Sequence, residues 1–328
     1  MKKLLFLYLF FSLQGLSADW HTVYAHGIVD NQTQMNRFID AISTSQTTSV
    51  EFSDAQPASD WGLNGCVNSI CRTVLGKNIN RANMCMGQTD DIVQLHNAIK
   101  NQPDNSIILY GCSRGAATII NTLAEHNPSN IKALILDATP ADMPATIKPL
   151  LAKIGINPDY SNTIFSTIFP AYPKNSMTPL QAIAKITNKN LPILLLHSQT
   201  DAKVPVEHSY QLYQEFKNQG FVNVELIILP EGAHSFLLQN EKIKPLYLQA
   251  VHTFYKKYNL PHDSTWTQQH FDWANYRPTN IARHIECYEK NIQKMYRKTI
   301  IKYATIATIG IIIYATALSV EQNTIVMR

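Results

Sequence analysis

The amino-acid sequence reads as an α/β chain: a mostly parallel sheet of about six strands, flanked by helices. Three observations lead there. Short runs rich in Ile, Leu and Val recur between residues 20 and 260, each of the length of a buried strand. Stretches with apolar residues at helical spacing lie between them. A Gly-x-Ser-x-Gly, Gly111 to Gly115, stands where one such run meets one such stretch. Strands alternating with helices imply crossover connections, and therefore a sheet covered on both faces.

The elements follow in order. Thr22-Val23-Tyr24-Ala25 is the first strand and ends in His26-Gly27. A short helix is expected over 36–42 and a second strand over Ser49–Phe52. Residues 53–88, rich in Asn, Gly, Ser and Cys, read as a long irregular excursion, and such excursions are often functional. Thr89-Asp90-Asp91 caps a helix carrying Ile92, Leu95 and Ile99 on one side. Ile107–Tyr110 is a buried strand, and Ala116–Leu123 the helix after it. Ile131–Leu136 is a strand ending at Asp137. Over 140–190, helical patterns are broken by Pro149, Pro158, Pro170, Pro173 and Pro179, which reads as a helical lid. Leu191–Leu196 and Val222–Leu229 are the remaining strands. Between them Ser209–Asn218 is a helix with Leu212, Tyr213 and Phe216 on one face, and Lys242–Tyr258 is the closing helix.

Composition narrows the function. With 45% hydrophobic and 16% charged residues, the chain is built to bury a core. The net charge of +4 is modest, and no basic face is discernible over the first 260 residues, which excludes a nucleic-acid partner.

The ends carry their own signals. Met1-Lys2-Lys3, an apolar stretch and the small residues Gly15, Ser17 and Ala18 form a signal-peptide pattern over 1–18. The globular domain is expected over 19–260. Residues 261–302 form a linker or helix with the aromatic residues Trp266, Phe271, Trp273 and Tyr276, suited either to a membrane surface or to packing on the domain. Lys290, Lys294, Arg297, Lys298 and Lys302 follow. Residues 303–320, 18 in all, hold no charge and form a candidate transmembrane helix. The leader points to export with a C-terminal anchor. The basic flank points to the cytoplasmic side, leaving a cytoplasmic, tail-anchored chain as the alternative. In an exported protein two of Cys66, Cys71 and Cys85 are candidates for a disulfide. Cysteine and histidine spacing matches no zinc site.

The tight turn at Gly111-Cys112-Ser113-Arg114-Gly115 has the form of a nucleophile elbow, which lifts one hydroxyl above a sheet edge. A serine needs a base, and the base needs an orienting carboxylate. Asp201 and His234 each follow a predicted strand, so a parallel sheet brings them to the same edge as Ser113. The backbone N–H of Arg114, next after the serine, and that of Ile28, in the loop after the first strand, are the candidate oxyanion donors. Asp137 also ends a strand and is the competing acid. His26 and His197 read as structural. No metal or organic cofactor is called for.

These residues resemble the α/β-hydrolase superfamily over roughly 20–260. The segment Pro192-Ile-Leu-Leu-Leu-His197-Ser198-Gln-Thr-Asp201-Ala-Lys-Val204-Pro205, followed by Gly232-Ala233-His234-Ser235-Phe236, is most similar to the prolyl oligopeptidase and dienelactone hydrolase branch. Ser198 and Ala116 stand where that branch often has Gly. The resemblance implies a Ser113–His234–Asp201 triad and hydrolysis of a small-molecule or peptide acyl bond, with the lid selecting substrate size. The alternative is a catalytically silent relative that binds a ligand or partner at a membrane.

Overall fold

The computed structural model describes residues 20–27, 39–52, 84–102, 106–235 and 237–326; within the last helix, side chains are described through residue 309 and at Ile311. The expected signal peptide at 1–18, Ile28, Cys66, Cys71, Phe236 and most of the excursion at 53–88 lie outside these residues.

Six strands form one sheet: β1 (Trp20–Ala25), β2 (Gln46–Val50), β3 (Ser106–Cys112), β4 (Ile131–Asp137), β5 (Ile193–Ser198) and β6 (Val224–Leu229), in the order β2-β1-β3-β4-β5-β6. Every neighbouring pair is parallel. The near-continuous apolar runs of β3 to β5 are what a sheet buried on both faces requires.

Alternation along the strands sorts side chains into two cores. On one face Val23, Ala25, Leu109, Leu134 and Leu195 meet α1 (Asp90–Lys100), α2 (Arg114–His126) and, after β5, the helix Glu207–Asn218. On the other face Tyr24, Ile108, Tyr110, Ile135 and Leu194 meet the closing helix Lys244–Lys257. Helices α1 and α2 present Ile92, Leu95, Ile99 and Ile119, Ile120, Leu123 inward, as their spacing dictates.

The lid consists of α3 (Lys148–Lys153), α4 (Ser161–Ile168) and the single turn α5 (Pro179–Ala182), joined by 3-10 turns. Its prolines sit where helices tolerate them, at the first turns: Pro149 in α3 and Pro179 in α5, the latter with a Thr178–Gln181 capping box. With the lid counted, Glu207–Asn218 is α6, Lys244–Lys257 is α7, a short α8 spans Trp273–Tyr276, and α9 runs from Ile281 to Val326.

Phe271 is buried against the second core, and Trp266, Trp273 and Tyr276 pack around it, so the aromatic cluster belongs to the domain. One helix, α9, runs through both the expected linker and the expected span. Among the described residues no helix is long and apolar enough to cross a membrane; side chains 312–320 of the expected span lie outside them.

Candidate active site

The site is assembled at the C-terminal edge of the sheet from the ends of β3, β5 and β6. Ser113 is the hinge between β3 and α2, with φ 53° and ψ −117°, a conformation few side-chain-bearing residues adopt. Its surroundings hold it there. The Ser113 N–H donates to the Asp137 carbonyl at 2.8 Å, and the Ser113 carbonyl accepts from the Ala117 N–H at 3.1 Å. The glycines on either side permit the sharpness of the turn. A Cβ on Gly115 would lie 1.9 Å from the carbonyl oxygen of Ala25, and one on Gly111 would lie 2.6 Å from the Ala116 Cα.

Asp201 and His234 meet at this hydroxyl. His234 Nε2 lies 2.8 Å from Ser113 Oγ, and His234 Nδ1 lies 2.7 Å from Asp201 Oδ2. An ionised carboxylate only accepts, so the proton of a neutral His234 sits on Nδ1 and the Nε2 lone pair faces the serine hydroxyl. Asp201 Oδ1 accepts two backbone N–H groups, from Lys203 at 2.8 Å and Val204 at 3.0 Å. Burial alone would raise its carboxyl; hydrogen bonds from His197 and His234 outweigh that and hold it well below the usual carboxylate range.

Other side chains brace the site. His197 at the end of β5 donates from Nε2 to the Val204 carbonyl at 2.9 Å and lies 3.3 Å from Asp201 Oδ2, while its Nδ1 accepts from the Ser209 hydroxyl at 2.6 Å. Thr200 Oγ1 accepts from the Gly232 N–H at 3.1 Å, tying the Asp201 loop to the His234 loop. Ser198, where the resembled branch has Gly, accepts the Thr200 N–H at 3.2 Å.

Arg114 is wholly buried. Its guanidinium donates to Asp91 twice, Nε to Oδ2 at 2.7 Å and Nη2 to Oδ1 at 2.6 Å, and lies 5.0 Å from the Phe52 ring centre. Asp91 Oδ2 also accepts the Gly87 N–H at 2.7 Å. Asp91 is therefore the anchor of the elbow and not the helix cap its position suggests; α1 has Thr89 at its N-cap and no side-chain cap there. His26 behaves as expected: Nδ1 donates to the Gly27 carbonyl at 2.6 Å and Nε2 accepts the Phe52 N–H at 3.2 Å.

Asp137, the competing acid, takes no part in the contact with His234. It is buried beneath the site, where Oδ2 accepts from Tyr247 at 2.9 Å and the Tyr247 oxygen in turn accepts from Tyr110 at 2.9 Å. Its Oδ1 has no hydrogen-bond partner among the described residues. Burial pushes this carboxyl up to about 6, opposed by the Tyr247 hydrogen bond and by His197 and His234.

Of the five predicted site residues, Ser113, Asp201 and His234 come together; Arg114 begins α2 beside them; Ile28 lies outside the described residues. Asp91 and the contact of His197 with Asp201 went unread. The second had a signal, since four residues separate these two in the strand-end segment quoted above.

A family model described as the prolyl oligopeptidase family matches residues 79–260. The uncharacterized protein YfhR of Escherichia coli (strain K12) is 26% identical over 153 residues, 45% of this chain and 46% of that protein. The match thus spans about half the length of that relative. Among solved structures, the Pyrococcus furiosus esterase Pf2001 aligns with a TM-score of 0.49 at 17% identity, covering 73% of this chain and 83% of that one. The Pyrococcus horikoshii acylaminoacyl peptidase aligns with a TM-score of 0.48 at 15% identity, covering 79% of this chain and 39% of that one.

Proposed function

The chain belongs to the prolyl oligopeptidase family, within the α/β-hydrolase superfamily, and on that footing we propose that it is a serine hydrolase cleaving carboxylic ester, thioester or peptide-like amide bonds through an acyl-enzyme. The observation that carries this reading is the hydrogen-bonded line from Ser113 Oγ through His234 to Asp201, at 2.8 and 2.7 Å.

The steps follow from the proton positions. Ser113 Oγ attacks the substrate carbonyl carbon while its proton passes to His234 Nε2. His234 becomes imidazolium, stabilised by the Asp201 carboxylate, which remains ionised throughout. The carbonyl oxygen becomes an oxyanion, for which the backbone N–H of Arg114 is a donor; Ile28, the second donor expected from the sequence, lies outside the described residues. The bond to the leaving group breaks, and the leaving atom takes the proton from His234. Water then attacks the acyl-enzyme with His234 as base, releasing the acid and restoring Ser113.

The lid packs on the helix that carries the nucleophile elbow. Met143, Phe165, Phe169 and Tyr172 gather with Met84 and Met86 on Ala117, one helical turn beyond Ser113. This apolar, Met-rich cluster is buried and ties the lid to the helix that begins at Ser113.

A fluorophosphonate probe tests the chemistry: it labels the wild type and not Ser113→Ala. Persistent labelling of the alanine variant, or no turnover of p-nitrophenyl esters, acyl thioesters or peptide anilides by the wild type, overturns the reading. The same substrate panel separates esterase from peptidase.

A further inference from the structure

Helix α9 changes character along its axis. Its first turns are seated on the domain: Ile281 and Ile285 pack against the core, Ile292 is buried, and Glu289 pairs with Lys148 of α3 at 3.6 Å. Basic side chains then collect at Lys290, Lys294, Arg297, Lys298 and Lys302, against Glu286 and Glu289 alone on this stretch. After Lys302 no charged residue occurs until Glu321. The described isoleucines here stand out from the protein, Ile306 at 56% exposure, Ile309 at 51% and Ile311 at 69%.

The level at which charge stops is also the level of the lid tip. Gly155, just past α3 and with φ +80°, lies so close to α9 that a Cβ on it would meet the Tyr303 ring at 3.0 Å. On either side of Gly155, Ile154 and Ile156 are exposed, and Leu150 and Tyr160 of the same lid region are exposed too. Two separate elements thus present apolar side chains: the lid tip level with the last cations, between Thr299 and Tyr303, and the α9 isoleucines directly beyond them.

We propose that this boundary is a docking surface for an anionic phospholipid bilayer. The collar of Lys294, Arg297, Lys298 and Lys302 rests on the headgroups. Tyr303 sits at the interface, where aromatic rings with a polar tip are favoured. Ile306, Ile309 and Ile311 enter the acyl region, with Ile154 and Ile156 of the lid tip at the interface beside Tyr303. Apolar side chains alone suit any bilayer; the cations select a negatively charged one. Because the lid tip touches α9, docking holds the lid at a set height over the membrane. The surface is built from α9 and the lid alone and is independent of the hydrolase reading.

Vesicle flotation of the full chain tests this. Phosphatidylcholine vesicles containing phosphatidylglycerol are expected to carry the protein far better than phosphatidylcholine alone, with binding weakened by salt. Each cation near such a surface contributes about fivefold. Lys294→Glu/Arg297→Glu/Lys298→Glu/Lys302→Glu should therefore lose several hundredfold in partitioning, yet keep the wild-type thermal unfolding midpoint. Ile154→Ser/Ile156→Ser should weaken binding while keeping its preference for the anionic vesicles. Ser113→Ala should bind as the wild type does, which separates docking from catalysis. Equal partitioning onto neutral and anionic vesicles, unchanged binding by the four-site variant, or preference for RNA over the anionic vesicles overturns the proposal.

Discussion

Asp91 holds Arg114 by two hydrogen bonds, at 2.7 and 2.6 Å, and neither side chain reaches solvent. The pair joins the first turn of α1 to the residue directly after Ser113. A buried ion pair of this kind is weak evidence of net stabilisation, because both charges were taken out of water. Its consequence is positional: the Arg114 side chain anchors the elbow backbone to α1. Asp91→Ala removes the carboxylate paired with the buried guanidinium and is expected to cost about 3–5 kcal/mol in urea unfolding. Asp91→Leu/Arg114→Met should regain most of that stability while kcat stays below wild type. Full recovery of kcat in the double variant would show that the pair does not position the elbow.

Asp137 sets one pH dependence. Its carboxyl titrates at about 6 in the folded chain, against about 3.9 when unfolded. The native state therefore binds the proton more tightly, and this contribution is present below about pH 3.9 and lost as pH rises through 6. The loss between pH 4 and 7 amounts to about 2 kcal/mol. Asp137→Asn should remove that slope, so the variant gains on wild type as pH rises. Urea midpoints at the two pH values measure it; a constant difference between the proteins would refute it.

His208 works in the opposite sense. It is buried, with Nδ1 accepting the Ala141 N–H at 3.2 Å, and burial lowers it to about 3, helped by the nearby Lys148. The unfolded chain takes up this proton near pH 6.5 and the native state does not. The stability it contributes is complete above pH 6.5 and declines as pH falls toward 3. From pH 7 to 5 the decline is about 2 kcal/mol. His208→Gln, which still offers an acceptor to Ala141, should lose correspondingly less over that interval by chemical denaturation.

Gly115→Ala drives a methyl group to 1.9 Å from the Ala25 carbonyl oxygen and 2.7 Å from that of His26. Backbone cannot yield as a side-chain tip does, so α2 must lift away from β1, at about 3 kcal/mol or more, with kcat collapsing because Ser113 moves too. Gly220→Ala is the matched control: its φ is +83°, but nothing lies within 4 Å of the added carbon. That change should cost only about 1 kcal/mol, a difference readable in melting temperatures.

Much of this was legible in the sequence because it rests on local chemistry. The apolar runs at 107–110, 131–136 and 191–196 mark strands that the structure places at Ser106–Cys112, Ile131–Asp137 and Ile193–Ser198. Strand ends shifted by a residue or two because pairing with neighbours, and not hydropathy, decides where a strand stops. Ser113, Asp201 and His234 were readable since each follows a strand, and parallel strands share an edge. What stayed hidden depends on distant partners. Nothing near Asp91 indicates that a buried guanidinium arrives 23 residues later, so a local cap was the natural reading. His197 looked like strand-end packing because its contact with Asp201 depends on how the chain turns after β5.

The base comes from beyond β6, the last strand of the sheet, and β6 pairs only with β5 at its edge. A nascent chain therefore makes its alcohol at residue 113 and its carboxylate at residue 201 before the imidazole at residue 234 can activate them. Chemical latency is thus written into chain order. The protein stays inert until its final strand docks, and two fragments divided at the α6–β6 turn would each be silent and regain activity on reassociation.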